Sequence, residues 1–65
     1  MQLPTIIEAL KFRAEQMGWG QERMAIELGL QASHYSEVLS GKRRLPLRAM
    51  RKACKLGVPA KVLLQ

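Results

Sequence analysis

QERMAIELGLQASHYSEVLSG, residues 21–41, is the stretch of the chain that decides the fold. Its first half carries Met24 and Leu28 four residues apart, which places both side chains on one inner face of a short helix. Ala25 lies beside them and is small enough to let a second helix cross closely. Gly29 then tolerates the positive φ that a tight turn between two helices requires. This half therefore predicts a short helix that ends in a turn.

The second half of the same stretch predicts another short helix, packed across the first. Tyr35, Val38 and Leu39 follow the spacing i, i+3, i+4, which forms one buried stripe on a helix. This helix is expected to run over residues 32–40 and to end at Gly41. Two helices joined by a glycine-containing turn form a helix-turn-helix.

The segment before this stretch predicts one longer helix. Thr5 and Glu8 have the spacing of a capping box, in which each side chain satisfies a backbone N–H of the first turn. Apolar residues then recur at steps of three and four residues. We expect a helix over residues 5–17 that ends at Gly18, where the helical pattern stops.

The segment after the stretch predicts two further helices. Pro46 opens a fourth helix, because the first helical position needs no N–H, and Gly57 closes it. Pro59 opens a last turn or two. The predicted inner face of the fourth helix consists of Leu47, Met50, Ala53 and Cys54, with Leu56 as a further candidate and Cys54 as a small buried apolar residue. Residues 1–65 are therefore predicted to form a single all-α domain of five short helices.

Length and composition exclude several classes of protein. A chain of 65 residues with one Cys forms no internal disulfide and no multi-cysteine zinc site. It has one His and no Asp, so we expect no catalytic constellation, no metal site and no cofactor. The longest aliphatic run has three residues, and the first residues lack an apolar signal core, so we expect no membrane span, no export and a cytosolic location.

The charge of the chain is divided unevenly. Residues 1–37 carry three Lys or Arg against five Glu, whereas residues 38–65 carry eight Lys or Arg and no acidic residue. The formal charge of +6 therefore combines −2 in the first part with +8 in the second. A concentrated basic segment favours a polyanionic partner, with nucleic acid ahead of a membrane surface or an acidic protein.

The whole pattern resembles the Cro/lambda-repressor-like (XRE) family of helix-turn-helix proteins. The matching segments are the helix that begins at Gln21, Leu28-Gly29-Leu30, Ser36, Ser40-Gly41-Lys42-Arg43 and Lys55-Leu56-Gly57-Val58-Pro59. The resemblance implies a compact five-helix DNA-binding domain in a bacterial or phage transcriptional repressor. It implies further that the chain binds a palindromic operator in double-stranded DNA as a homodimer.

Four positions on the third helix point away from its buried stripe. By the helical period these are Ala32, Ser33, Ser36 and Glu37. A recognition helix places its N-terminal half in the major groove, where Ala contacts a thymine methyl, Ser bonds several bases and Glu accepts from cytosine N4. Two interpretations of Glu37 stay open: a base contact, or a surface charge paired with Arg43 or Arg44.

Other residues are expected to hold the DNA backbone. The resemblance implies that Gln21 bonds a phosphate and braces the third helix, and Gln31, where the family usually has a capping Ser or Thr, joins the candidate DNA contacts. The candidate phosphate clamp consists of Ser36, Ser40, Lys42, Arg43 and Arg44.

Alternative functions lie in protein and membrane binding. The resemblance extends to HigA-type antitoxins, which bind a toxin protein as well as DNA. The alternatives are a module in which the first helix and Trp19 hold such a partner, and a basic amphipathic helix at residues 47–56 on an anionic membrane. Homodimerisation is predicted at the apolar C-terminal residues Val62, Leu63 and Leu64.

Overall fold

The computed structural model describes residues 4–63, and these residues form five helices and no strand. In chain order they are α1 (Pro4–Met17), α2 (Gln21–Leu28), α3 (Ala32–Leu39), α4 (Leu47–Lys55) and α5 (Ala60–Leu63). The predicted all-α fold is confirmed, and the predicted helix ends agree with the observed ones to within one residue. Among these residues, no helix has the length and apolar character needed to cross a bilayer.

Four of the helices end in the same hydrogen-bonded motif, with a left-handed glycine at Gly18, Gly29, Gly41 or Gly57. At the end of α2, the N–H of Gly29 donates to the carbonyl of Ile26, and the N–H of Leu30 donates to that of Ala25. This is the Schellman arrangement, which satisfies carbonyls that the last helical turn leaves unpaired. Gly29 has a φ of 74°, and glycine adopts this conformation without a Cβ penalty. The predicted turn between α2 and α3 is confirmed.

The core lies where α2 packs against α3 and α4. Met24, Ala25 and Leu28 are buried on α2, and they meet Tyr35 and Val38 of α3. These are the residues that the periodicity assigned to the inner faces of the two helices. Leu39 is half-buried at the edge of the same cluster.

The inner face of α4 differs from the prediction. Ala49 and Ala53 are fully buried and Met50 is half-buried, whereas Leu47 is 62% exposed and Cys54 is exposed. The buried side chains of α4 are small because α4 packs directly on α2, and alanine side chains let two helices approach closely. The predicted burial of Leu47 and Cys54 was wrong.

The first helix closes the other side of the core against the last one. Ile6, Leu10 and Ala14 form the buried stripe of α1, which packs against α5. Trp19 follows α1 and is half-buried against the core edge. The first and last helices of the described chain are therefore in contact with each other.

Candidate nucleic-acid interface

The outer face of α3 carries most of the side chains that the sequence assigned to base contacts. Ala32, Ser33 and Ser36 are exposed, because Tyr35 and Val38 occupy the buried face of the same helix. All three side chains are short, so a partner can approach the helix backbone closely. The predicted outward orientation is confirmed, and contact with bases stays a prediction.

Gln31 lies immediately before α3 in an extended conformation, with φ −72° and ψ 151°. Its side chain is exposed and, within residues 4–63, makes no capping hydrogen bond to the helix. The Gln31 amide and the first N–H groups of α3 are thus available to an outside acceptor. The partial positive charge of a helix N-terminus favours an anion there.

Gln21 is brought next to α3 by the packing of three helices. It lines a cavity of about 260 Å³ together with Lys11 of α1, Trp19 and Tyr35 of α3. Gln21 is itself exposed at the first position of α2. Gln21 therefore lies close to α3, and its phosphate contact stays a prediction.

Arg23 links Trp19 to α2. Its guanidinium lies 4.9 Å from the centre of the Trp19 ring, and its Nε donates to Glu27 Oε2 at 2.8 Å. A cation over an indole face and an i, i+4 ion pair both fix the side chain. This cluster was not predicted from the sequence, although the four-residue spacings of Trp19, Arg23 and Glu27 are its signal.

Glu37 organises the loop after α3. Its backbone carbonyl accepts from the Ser40 hydroxyl at 3.0 Å, from the Lys42 N–H at 2.9 Å and from the Arg43 N–H at 3.3 Å. Its carboxylate accepts from Arg43 Nε at 2.6 Å. Of the two interpretations left open for Glu37, the structure contains the pair with Arg43.

The candidate phosphate clamp divides into engaged and free groups. Lys42 and Arg44 are exposed, and within residues 4–63 neither is paired with a carboxylate. Ser40 is exposed too, but its single hydroxyl hydrogen is already donated to the Glu37 carbonyl. Ser40 would have to give up this hydrogen bond in order to donate to a phosphate, and its predicted DNA contact stays a prediction.

A second group of cations lies on α4, where the sequence analysis assigned no site residue. Arg48, Arg51, Lys52 and Lys55 are all exposed. The Lys52 ammonium lies against Gly29, 2.8 Å from the position that a Cβ would occupy there. It therefore stands at the C-terminus of α2, where the helix dipole favours a cation. The four cations of α4, with no acidic residue among them, were the signal for this surface.

The predicted dimer residues have different placements. Leu63 is only 2% exposed and belongs to the core of its own chain, so its predicted role as a surface contact is wrong. Val62 is half-buried and lines an apolar groove of about 370 Å³ between α1 and the segment before α5. Leu64 lies outside the described residues. Phe12, which was not predicted, is 61% exposed at the edge of this groove.

The pKa of the Tyr35 hydroxyl reports on the packing of α3. Burial raises the pKa of Tyr35 from 10.0 to about 12, because the phenolate is poorly solvated in the core. Above pH 10 the unfolded chain loses this proton before the folded chain does. Stability is therefore expected to fall as the pH rises from 10 to 12, by about 2 to 3 kcal/mol in total.

Titration of the near-ultraviolet tyrosinate absorbance measures this pKa directly, because the chain contains one Tyr. The native protein is expected to titrate near 12 and the urea-unfolded chain near 10. A native midpoint at 10 would contradict the burial of the hydroxyl. In Tyr35→Phe the same pH-dependent loss of stability should be absent relative to the parent protein.

Potential metal ligands are not clustered in the described part of the chain. Residues 4–63 contain no cluster of three or more His, Cys or Glu side chains that could hold a metal ion. His34 is half-buried on α3, and Cys54 is a free, exposed thiol on α4. The arrangement offers hydrogen-bond donors and cations, which are the groups that bind a polyanion.

Comparison of the chain with family models, with curated proteins and with solved structures finds no match.

Proposed function

We propose that this chain is a sequence-specific DNA-binding transcriptional regulator, a repressor that binds a palindromic operator as a homodimer in the bacterial cytoplasm. The observation that carries the proposal is the exposed face of Ala32, Ser33 and Ser36, flanked by the exposed cations Lys42 and Arg44. Short polar and apolar side chains on an outer helix face suit base edges in the major groove, and free cations beside them suit phosphates. Repression follows when the bound dimer occupies a promoter.

The electrostatics of the chain support the same proposal. All eight cations of residues 38–65 come after α3 in the sequence, and no acidic residue lies among them. The exposed cations of α4 extend the basic surface beyond the loop after α3. Such a field steers the protein to DNA and gives the binding a steep dependence on salt.

A second copy of the chain is proposed to occupy the groove between α1 and α5. Two copies that each carry +6 repel one another, so they meet best where cations are few and apolar surface is exposed. The only cation lining this groove is Arg13, and it is engaged within its own chain by the Leu56 carbonyl and Gln16. Phe12 projects beside the apolar lining, so a two-fold axis would place each Phe12 against the other groove.

The test is a binding titration on duplexes selected from a random pool of about three helical turns, with sedimentation to count chains per duplex. We expect two chains on each selected palindrome and a steep loss of affinity with salt. Lys42→Gln/Arg44→Gln should lower the salt slope by about 1.8 for each bound chain, and so by about 3.6 for a dimer, at 0.9 per phosphate contact, on selected and scrambled duplexes alike. Ser33→Ala should cost roughly 1–3 kcal/mol on the selected duplex alone.

Lys61→Gln is the control, since it removes one exposed cation from α5. It should leave the salt slope unchanged, because α5 lies on the side of the fold that carries the groove. Binding with no preference for any selected sequence would contradict the proposed regulator. So would a stable complex of one chain on each palindrome.

A further inference from the structure

Glu37 is the only acidic residue in α3 and in the loop that follows it, residues 40–46. It is the last acid in the sequence, and the next seven residues include Lys42, Arg43 and Arg44. It lies on the outward side of α3, one turn after Ser33. A carboxylate in this place repels phosphates, so its presence on a DNA-binding face needs a physical reason.

The contacts of Glu37 supply that reason. Its carbonyl takes two backbone N–H groups, from Lys42 and Arg43, and so fixes the loop immediately after Gly41. Its carboxylate then takes Arg43 Nε at 2.6 Å. Backbone and side chain of one residue thus hold the same arginine, and Arg43 folds back toward α3.

The pairing divides the three loop cations into two classes. Arg43 has a carboxylate partner at contact distance, whereas Lys42 and Arg44 have none among residues 4–63. A cation that is already paired with a carboxylate releases few counterions from the DNA when it approaches a phosphate. A phosphate contact must first break the existing pair or bring the carboxylate close to the DNA. Only free cations then contribute fully to the salt dependence of binding.

We propose that Glu37 is a positioning residue that masks Arg43, and that it thereby weakens sequence-independent DNA binding without reading a base. This inference rests on the proposed function. Under this proposal Lys42 and Arg44 contact phosphates, whereas Arg43, the third cation of the loop, does not. A repulsive element of this kind keeps affinity for arbitrary DNA low.

The first test compares two neighbouring arginines on a scrambled duplex. Arg44→Gln is expected to lower the salt slope by about 0.9 for each bound chain, the value for one lost phosphate contact. Arg43→Gln is expected to leave the slope nearly unchanged, because Arg43 is masked in the parent protein. Equal losses of slope in the two variants would overturn the proposal.

The second test removes the mask. Glu37→Gln is expected to bind selected and scrambled duplexes more tightly by the same factor, with a salt slope steeper by about 0.9 for each bound chain. The gain should shrink between 50 and 200 mM salt by about 3.5-fold for one bound chain and about 12-fold for a dimer. In the Glu37→Gln background, Arg43→Gln should remove this gain, so the two substitutions are coupled and not additive.

Glu27→Gln is the matched control, because it removes the same charge from the exposed Arg23–Glu27 pair on α2. Its salt slope should stay at the parent value. If Glu37→Gln instead weakens binding to the selected duplex alone, Glu37 reads a base and the masking proposal is wrong. Additive effects of Glu37→Gln and Arg43→Gln would likewise overturn masking while DNA binding stands. Absence of salt-dependent binding in the parent protein would overturn the proposed function itself, and masking with it.

Discussion

Leu28→Ala is expected to leave most of the molecules unfolded at room temperature. Leu28 is 0% exposed at the end of α2, where α2 packs against both α3 and α4. Truncating a fully buried leucine removes apolar contacts and leaves a cavity, which costs about 2 to 5 kcal/mol. A single core in a chain this short rarely supplies more than about 3 to 5 kcal/mol, so the loss is comparable to the whole stability.

Thermal unfolding followed by far-ultraviolet circular dichroism measures this loss. Ile26→Ala is the matched control, because Ile26 lies on the same helix, is also aliphatic and is 70% exposed. We expect it to change stability by no more than about 0.5 kcal/mol. Equal destabilisation by the two substitutions would contradict the assignment of the α2 inner face. Both variants are compared at one protein concentration, because dimerisation would make the midpoint concentration-dependent.

The helix ends of this protein could be predicted from the sequence because their chemistry is local. Each of α1 to α4 ends at a glycine that closes two hydrogen bonds within its own last turns. Neither the partner helix nor the core decides such an end. The inner faces of α2 and α3 were also predictable, because each has a single apolar stripe, such as Met24 and Leu28 on α2.

The face of α4 could not be predicted in the same way, because two stripes compete on it. Leu47, Met50 and Cys54 form one helical row, Ala49 lies on another, and Ala53, which was predicted with the first, lies between the two. Apolar area favours the first row, but contact with α2 demands small side chains and selects the second. That choice depends on the neighbouring helix, which the α4 sequence does not contain.

For the candidate site, the sequence was sufficient to predict which side chains of α3 point outward. It was not sufficient to predict which side chains pair with one another. The outward direction of Ser33 and Ser36 follows from the burial of Tyr35. The partner of Glu37 instead depends on a loop conformation, since Arg43 reaches the carboxylate only after Gly41 has reversed the chain. The prediction for Leu63 was wrong for a related reason. An apolar residue near the end of the chain is buried as readily in the core of its own chain as in a dimer interface.

Gly57→Ala is the second substitution for which we expect a large effect, because two penalties meet at one position. Gly57 has a φ of 107°, which side chains with a Cβ rarely adopt. A Cβ there would lie 2.9 Å from an Arg13 η nitrogen and 3.0 Å from Cζ. Arg13 cannot swing away freely, because its Nε donates to the Leu56 carbonyl at the end of α4 and Nη1 donates to Gln16.

We expect Gly57→Ala to cost about 2 to 4 kcal/mol, as backbone strain of about 1 to 3 kcal/mol is joined by loss of the Arg13 contact. Gly18→Ala is the matched control, because Gly18 also ends a helix at positive φ but a Cβ there meets nothing within 4 Å. It should cost about 1 to 2 kcal/mol. In an Arg13→Ala background the crowding is absent, so Gly57→Ala should cost less than it does in the parent chain. Urea unfolding of the four chains of this cycle, with Gly18→Ala beside them, measures the coupling. Strict additivity would show that Arg13 yields to the new methyl group and does not fasten α1 to the end of α4.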